Sequence, residues 1–138
     1  MPWLKDPEGP SHPKIGLTYK ILRKFNRALM STWFRELDIV DNENMPVDGG
    51  VMFVAWHPSG LIDPVLLHAS LPGKLSILAK HTLFDMPLLG RLFTAAGALP
   101  IYRSVDSNDL EKSRRKNAMM LENAGHEISE GGRLLLFP

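Results

Sequence analysis

Val51-Met52-Phe53-Val54-Ala55-Trp56-His57-Pro58-Ser59-Gly60-Leu61-Ile62-Asp63-Pro64 decides how the chain is read. Its first six residues form an unbroken apolar run, the pattern of a short strand buried on both faces. His57-Pro58-Ser59-Gly60 breaks the run with turn-forming residues. Asp63-Pro64 then reads as a helix start, with aspartate as N-cap and proline at the first helical position. Strand, sharp turn and helix make the βα unit of an α/β sheet, and such sheets carry their functional groups where strands end.

Downstream the pattern repeats. The helix is expected to end near Leu71-Pro72-Gly73, and 75–79 reads as a second strand. Residues 82–96 read as one or two short apolar helices broken at Pro87 or Gly90, and 98–102 as a third strand. Residues 109–128 have helical spacing at Leu110, Asn117, Leu121, Ala124 and Ile128. Gly131-Gly132 ends that helix, and 133–137 is a fourth strand. The expected fold is an α/β domain over 38–138, with a mixed, largely parallel sheet flanked by helices. The strand at 133–137 stops as it leaves the core, so the domain is expected to be incomplete, and inactive and poorly soluble by itself.

Upstream, 1–13 is rich in proline and charge and reads as a flexible arm. Residues 14–37 read as an N-terminal amphipathic helix, with Thr18, Leu22, Phe25, Leu29 and Trp33 on one stripe and Lys20, Arg23, Lys24, Arg27 and Arg35 as a basic complement. Two packings suit it. The helix can pack on the chain's own domain and leave a solvated basic face. The helix can also lie in a membrane interface, with Trp33 and Phe34 near headgroups and the basic residues near lipid phosphate; both hold if it packs at the edge of the domain. Residues 38–50, rich in Asp, Asn, Pro and Gly, read as a loop.

Composition narrows the function. With 138 residues there is room for one core, and 44% hydrophobic against 22% charged residues is ordinary for a folded domain. A net charge of +1, from 16 basic and 15 acidic residues, argues against a nucleic-acid partner. The absence of cysteine excludes disulfides, thiol nucleophiles and thiolate metal sites. No apolar signal segment opens the chain, and no uncharged apolar stretch is long enough to span a bilayer.

Several residues carry candidate chemistry. His57 follows the first strand, and the Pro-Ser-Gly turn can fold Asp63 back toward it. A carboxylate on one ring nitrogen fixes the tautomer and raises the basicity of the other, which is the base-and-orienter half of a triad. On spacing alone, Asp63 before Pro64 is equally an ordinary helix cap. Ser59 lacks the Gly-x-Ser-x-Gly elbow of a serine hydrolase. His57, Asp63 and His68 do not form the helical histidine pair of a metal site. His12, His81 and His126 read as surface histidines. Arg103 stands at the far end of the third strand, where it can fork onto a phosphate or simply be solvated. Lys80, after the second strand, is a similar case.

In order along the chain, these blocks resemble the glycerol-phosphate acyltransferase superfamily. His57-Pro58-Ser59-Gly60-Leu61-Ile62-Asp63-Pro64 is similar to its first block. Ala79-Lys80, Leu83-Phe84, Pro87-Leu88 and Gly90 are similar to the connecting segment, and 97–103 to the second block, Gly-x-x-x-Ile-x-Arg. Leu135-Leu136-Phe137-Pro138 is similar to the start of the third, Phe-Pro-Glu-Gly, within which this sequence stops. The commonest first block has four residues between His and Asp; here there are five, as in fungal-type glycerol-3-phosphate/dihydroxyacetone-phosphate acyltransferases and their bacterial relatives.

The resemblance implies an O-acyltransferase of phospholipid biosynthesis. An acyl thioester, acyl-CoA or acyl-ACP, donates to a hydroxyl of glycerol 3-phosphate or 1-acylglycerol 3-phosphate. His57 is the base and Asp63 its partner, with Arg103, Lys80, Gly97 and Ser59 at the acceptor. Neither cofactor nor metal is implied. The partners are the two substrates, acyl carrier protein if it is the donor, and a membrane surface, with a peripheral or monotopic location on its cytoplasmic face. The competing expectations are a non-catalytic membrane-binding module and a lipid hydrolase using Ser59 or water.

Overall fold

The computed structural model describes residues 3–7, 12–106 and 108–138. Its centre is a four-stranded sheet of β1 (Val51–Val54), β2 (Leu75–Lys80), β3 (Leu99–Ile101) and β4 (Arg133–Leu136), in the spatial order β1-β4-β2-β3. The described pairings, β1 with β4, β4 with β2 and β2 with β3, are all parallel. The expected α/β class holds, and no antiparallel pair occurs among the described strands.

Parallel neighbours need crossover connections, and helices supply them. α2 (Ile62–Ser70) joins β1 to β2, α3 (Pro87–Ala95) joins β2 to β3, and α4 (Leu110–Ser129) joins β3 to β4. The first two crossovers step one way across the sheet and the third steps back. Crossovers of one hand therefore put α2 and α3 on one face and α4 on the other. The side chains agree. Ile77 and Leu135 pack with Leu67 of α2 and Phe93 of α3, while Leu78 and Leu134, one residue along, pack with Met120 and Ala124 of α4. Alternation along a strand lets β4 serve two cores, which is why it reads as continuous leucine. The turn into β4 depends on glycine: Gly131 has φ +82°, and a Cβ on Gly132 would stand 2.4 Å from the Glu127 carbonyl oxygen.

The two outer strands differ at their free edges. Beside the end of β3, Asn117 of α4 brackets the backbone of Tyr102. Tyr102 N–H donates to Asn117 Oδ1 at 2.9 Å, and Asn117 Nδ2 donates to Tyr102 O at 2.6 Å. β1 has no strand beyond it among the described residues. Met52 and Val54, with Trp56 just past the strand, alternate outward and are exposed.

α1 (Leu17–Trp33) keeps the simpler of its two expected packings, on its own domain, but turns a different stripe inward. It lies on α2, but the stripe it buries is Tyr19, Arg23, Asn26 and Met30. The apolar stripe faces out: Leu17 is 74%, Ile21 60%, Phe25 61% and Trp33 69% exposed. Hydrogen bonds explain the choice, since Tyr19, Arg23 and Asn26 each find a partner, although Arg23 Nε finds none. Arg23 Nη1 donates to Asp6 Oδ1 at 2.5 Å and Nη2 to Tyr19 Oη at 2.9 Å and to the Gly73 carbonyl. Leu75 N–H donates to Tyr19 Oη at 2.8 Å, and Gly73 N–H to Asp6 Oδ1 at 2.7 Å. The segment 3–7, expected to be part of a flexible arm, is therefore anchored through Asp6. Arg27 also reaches Leu4 O at 3.3 Å and lies over the Trp3 ring. Of the same arm, residues 1, 2 and 8–11 lie outside the described residues. No helix among the described residues is long and apolar enough to cross a membrane.

His68 completes the α1–α2 interface. It is 1% exposed, its Nδ1 lies 3.0 Å from Asn26 Nδ2, and its ring centroid is 4.7 Å from that of Tyr19. Burial, and then the charges of Arg23 and Arg27, push it down to about 4, so this imidazole is neutral in the fold. It is a core residue and takes no part in any cluster with His57 and Asp63.

Candidate active site

All four strands point their carboxyl ends the same way, and His57, Lys80 and Arg103 collect there. A cavity of about 450 Å³ is lined by His57 after β1, Lys80 at the end of β2, Arg103 after β3 and Phe137 after β4. Between these polar groups its wall is apolar, from Leu61, Ile77, Leu83, Phe93 and others. The parallel order does this: residues far apart in sequence become neighbours only because every strand end faces one side.

His57 sits in the turn that the first block predicts, but its immediate partner differs from the expected one. Nδ1 lies 3.2 Å from the Gly60 carbonyl oxygen and 3.9 Å from Asp63 Oδ2. The carboxylate is close enough to act as a charge and too far to be a hydrogen-bond acceptor. Gly60, at φ +59°, turns its carbonyl back toward the ring. With Nδ1–H directed at that oxygen, Nε2 is left as the basic nitrogen. The Phe137 ring, 4.5 Å away between centroids, packs against the imidazole from the β4 side.

Asp63 is not the N-cap that the sequence suggests. α2 begins at Ile62, with Leu61 in the capping position. Asp63 stands in the first turn, where its Oδ2 accepts from Ser59 N–H at 2.7 Å. An anion in the first turn suits the helix dipole, and proline is tolerated there because its missing N–H has no partner to lose. The bond to Ser59 closes the Pro-Ser-Gly turn and so shapes the loop that carries His57. Ser59 itself is exposed and does not line the cavity.

Lys80 of the connecting segment and Arg103 of the second block come together, held by a residue the sequence reading missed. Asp106 Oδ1 is 3.0 Å from Lys80 Nζ, and Oδ2 is 3.0 Å from Arg103 Nε. Lys80, and then Arg103, hold the Asp106 carboxyl below the usual carboxylate range. Its signal in the sequence was an acid three residues after Arg103, too common a spacing to single out. Gly97 is not brought to this site. It lies at the opposite end of β3, at φ +75°, where a Cβ would meet the Leu75 carbonyl oxygen at 3.3 Å and the Tyr19 ring. It serves the turn from α3 into β3. His81, read as a surface histidine, is partly buried and stacks on Tyr102 at 4.6 Å between centroids.

The arrangement offers a base with a fixed tautomer, a carboxylate near the charge that base acquires, two cations for an anion, and an apolar wall for a hydrocarbon chain. The family model described as Acyltransferase matches residues 36–138, which takes in every strand and the whole lining of the cavity. The chain belongs to that family, within the glycerol-phosphate acyltransferase superfamily, and acyl transfer is the class of its chemistry. No curated protein and no solved structure gives a match to the chain. α1 precedes the matched segment.

Proposed function

We propose that the protein transfers a fatty acyl group from an acyl thioester, acyl-CoA or acyl-ACP, to a hydroxyl of glycerol 3-phosphate or 1-acylglycerol 3-phosphate, in the formation of phosphatidic acid. The observation that carries the reading is that His57, Lys80 and Arg103 line one cavity with an apolar wall. The acceptor's phosphate goes to Lys80 and Arg103. Its hydroxyl gives a proton to His57 Nε2 as the oxygen attacks the thioester carbonyl. The tetrahedral centre then expels the thiolate, which takes that proton back from the imidazolium. Gly60 O orients the ring and the Asp63 charge favours the imidazolium, so Asp63 is a positioning residue. The scheme calls on no metal or cofactor.

The outward stripe of α1 supports a second part of the proposal, that the protein works on a membrane, peripherally or monotopically on the cytoplasmic face. Exposed Leu17, Ile21, Phe25 and Trp33 beside exposed Lys20 and Lys24 suit a surface that is apolar beneath and anionic at its boundary. A substrate with a fatty chain is held at such a surface.

The test uses the complete protein, whatever it holds beyond Pro138, with acyl-CoA and, separately, glycerol 3-phosphate, dihydroxyacetone phosphate and 1-acylglycerol 3-phosphate. Thiol release that depends on the acceptor, with acylated product by mass spectrometry, is the expected result. Free fatty acid formed regardless of acceptor would replace this reading with a hydrolase. Binding to vesicles with no thioester consumed would replace it with a membrane-binding module.

A further inference from the structure

Lys80 and Arg103 come from neighbouring strands. Lys80 closes β2 opposite Ile101 of β3, and Arg103 follows two residues later. Asp106 ends the short 3₁₀ turn Ser104–Asp106, and its N–H donates to Arg103 O at 3.1 Å, which folds the chain back toward the strand ends. Its two carboxylate oxygens divide between the two cations, one each, both at 3.0 Å. Two anionic oxygens spanning a lysine and an arginine is the contact pattern a phosphate would make in the same place.

We propose that Asp106 is a resident counter-ion, which holds Lys80 and Arg103 together while no acceptor is bound and is displaced by the acceptor's phosphate, so that it acts as a built-in competitor that any acceptor must outbind. The proposal rests on the reading of this cavity as the acceptor site. Two adjacent cations repel, and without a partner their long side chains would spread into solvent. The carboxylate prevents that. Its contacts lie at the protein surface, where such pairs are weak, so they are readily exchanged. A phosphate dianion brings more charge and more acceptor oxygens than the carboxylate it replaces. A monoanion brings no more charge than Asp106 does, and gains little from the exchange. A place for the displaced carboxylate exists. Asp106 lines a neighbouring recess of about 490 Å³ together with Lys112 and Lys116, and with Asp85 and Asp109. The bracket from Asn117 fixes the backbone of Tyr102, so Arg103 keeps its position while the turn beyond it moves.

The test is calorimetric titration of the full chain with inorganic phosphate and, separately, with methyl sulfate as a monoanion. Asp106→Asn keeps the shape and removes the charge. It is expected to tighten phosphate binding by about three- to ten-fold, the scale of losing a weak surface competitor. It should tighten methyl sulfate by a similar factor, because both anions displace the same carboxylate. Asp106→Ala is expected to do the same if the effect is electrostatic. Lys80→Met and Arg103→Gln should each weaken phosphate. If those two weaken it but both Asp106 variants leave it unchanged or weaken it, the counter-ion role is wrong and the acceptor site stands. If none of the four variants moves phosphate binding, the acceptor reading fails and takes this inference with it.

Discussion

His57 owes its orientation to a backbone carbonyl as much as to a carboxylate, and that division predicts unequal mutants. His57→Gln removes the base, and kcat should fall about a thousand-fold with the fold retained by circular dichroism. Asp63→Asn leaves Gly60 O in place, so its loss should be smaller, about ten- to a hundred-fold in kcat, with the acceptor KM little changed. Equal losses in the two variants would assign Asp63 a larger part than the 3.9 Å separation supports. At the same scale, His68 makes a prediction about stability. Unfolded, it takes a proton near pH 6.5; folded, it resists until about 4. A depressed histidine contributes its full stability above the unfolded value and loses it as pH falls toward the folded one. Urea unfolding should therefore show stability declining between about pH 6.5 and 4, by on the order of 3 kcal/mol from this group. His68→Gln, which keeps a partner for Asn26, should flatten that part of the profile.

Among the elements, α1 is where sequence periodicity misleads. The inward stripe is displaced by one residue, about 100° around the helix, from the stripe that hydrophobicity selects. Arg23 and Asn26 are buried because Asp6, Gly73 and His68 receive their hydrogen bonds, and Tyr19 because its Oη accepts from Leu75 N–H, and those partners are distant in sequence. No local pattern shows such pairing. The prediction that belongs to this helix is vesicle binding. Ile21→Ser with Phe25→Ser should weaken sedimentation with anionic phospholipid vesicles by about ten-fold or more, since two large apolar side chains are removed from the interface. Unfolding midpoints should be little changed, because neither residue is buried. By contrast, the four strands, their order along the chain and the helices between them were legible to within a few residues. Each is a compact apolar run between glycines, prolines and turn residues. The first block located His57 for the same reason: it breaks a strand. Lys80 and Arg103 were visible as strand-end cations, but only the register of β2 and β3 joins them to one carboxylate. Gly97 misled because a glycine before a strand reads the same whether it serves a turn or a ligand.

For the molecule as a whole, stability rests on β4, whose side chains enter both cores. Leu135 is fully buried in the core shared with α2 and α3. Leu135→Ala should cost about 2–5 kcal/mol, measured as a lower urea midpoint, and should also disturb the Phe137–His57 packing two residues on. A surface change such as Arg115→Ala, which breaks only an exposed pair with Glu111, should be nearly silent. The free edge of β1 has a different consequence, for handling rather than for catalysis. Its backbone offers hydrogen-bonding groups to any passing strand, and Met52, Val54 and Trp56 make that approach sticky on one face. β3 is guarded by Asn117, whereas no strand lies beyond β1 among the described residues. Concentrated samples should therefore grow into oligomers by strand addition, and a single lysine at Val54 should keep them dispersed without touching the cavity.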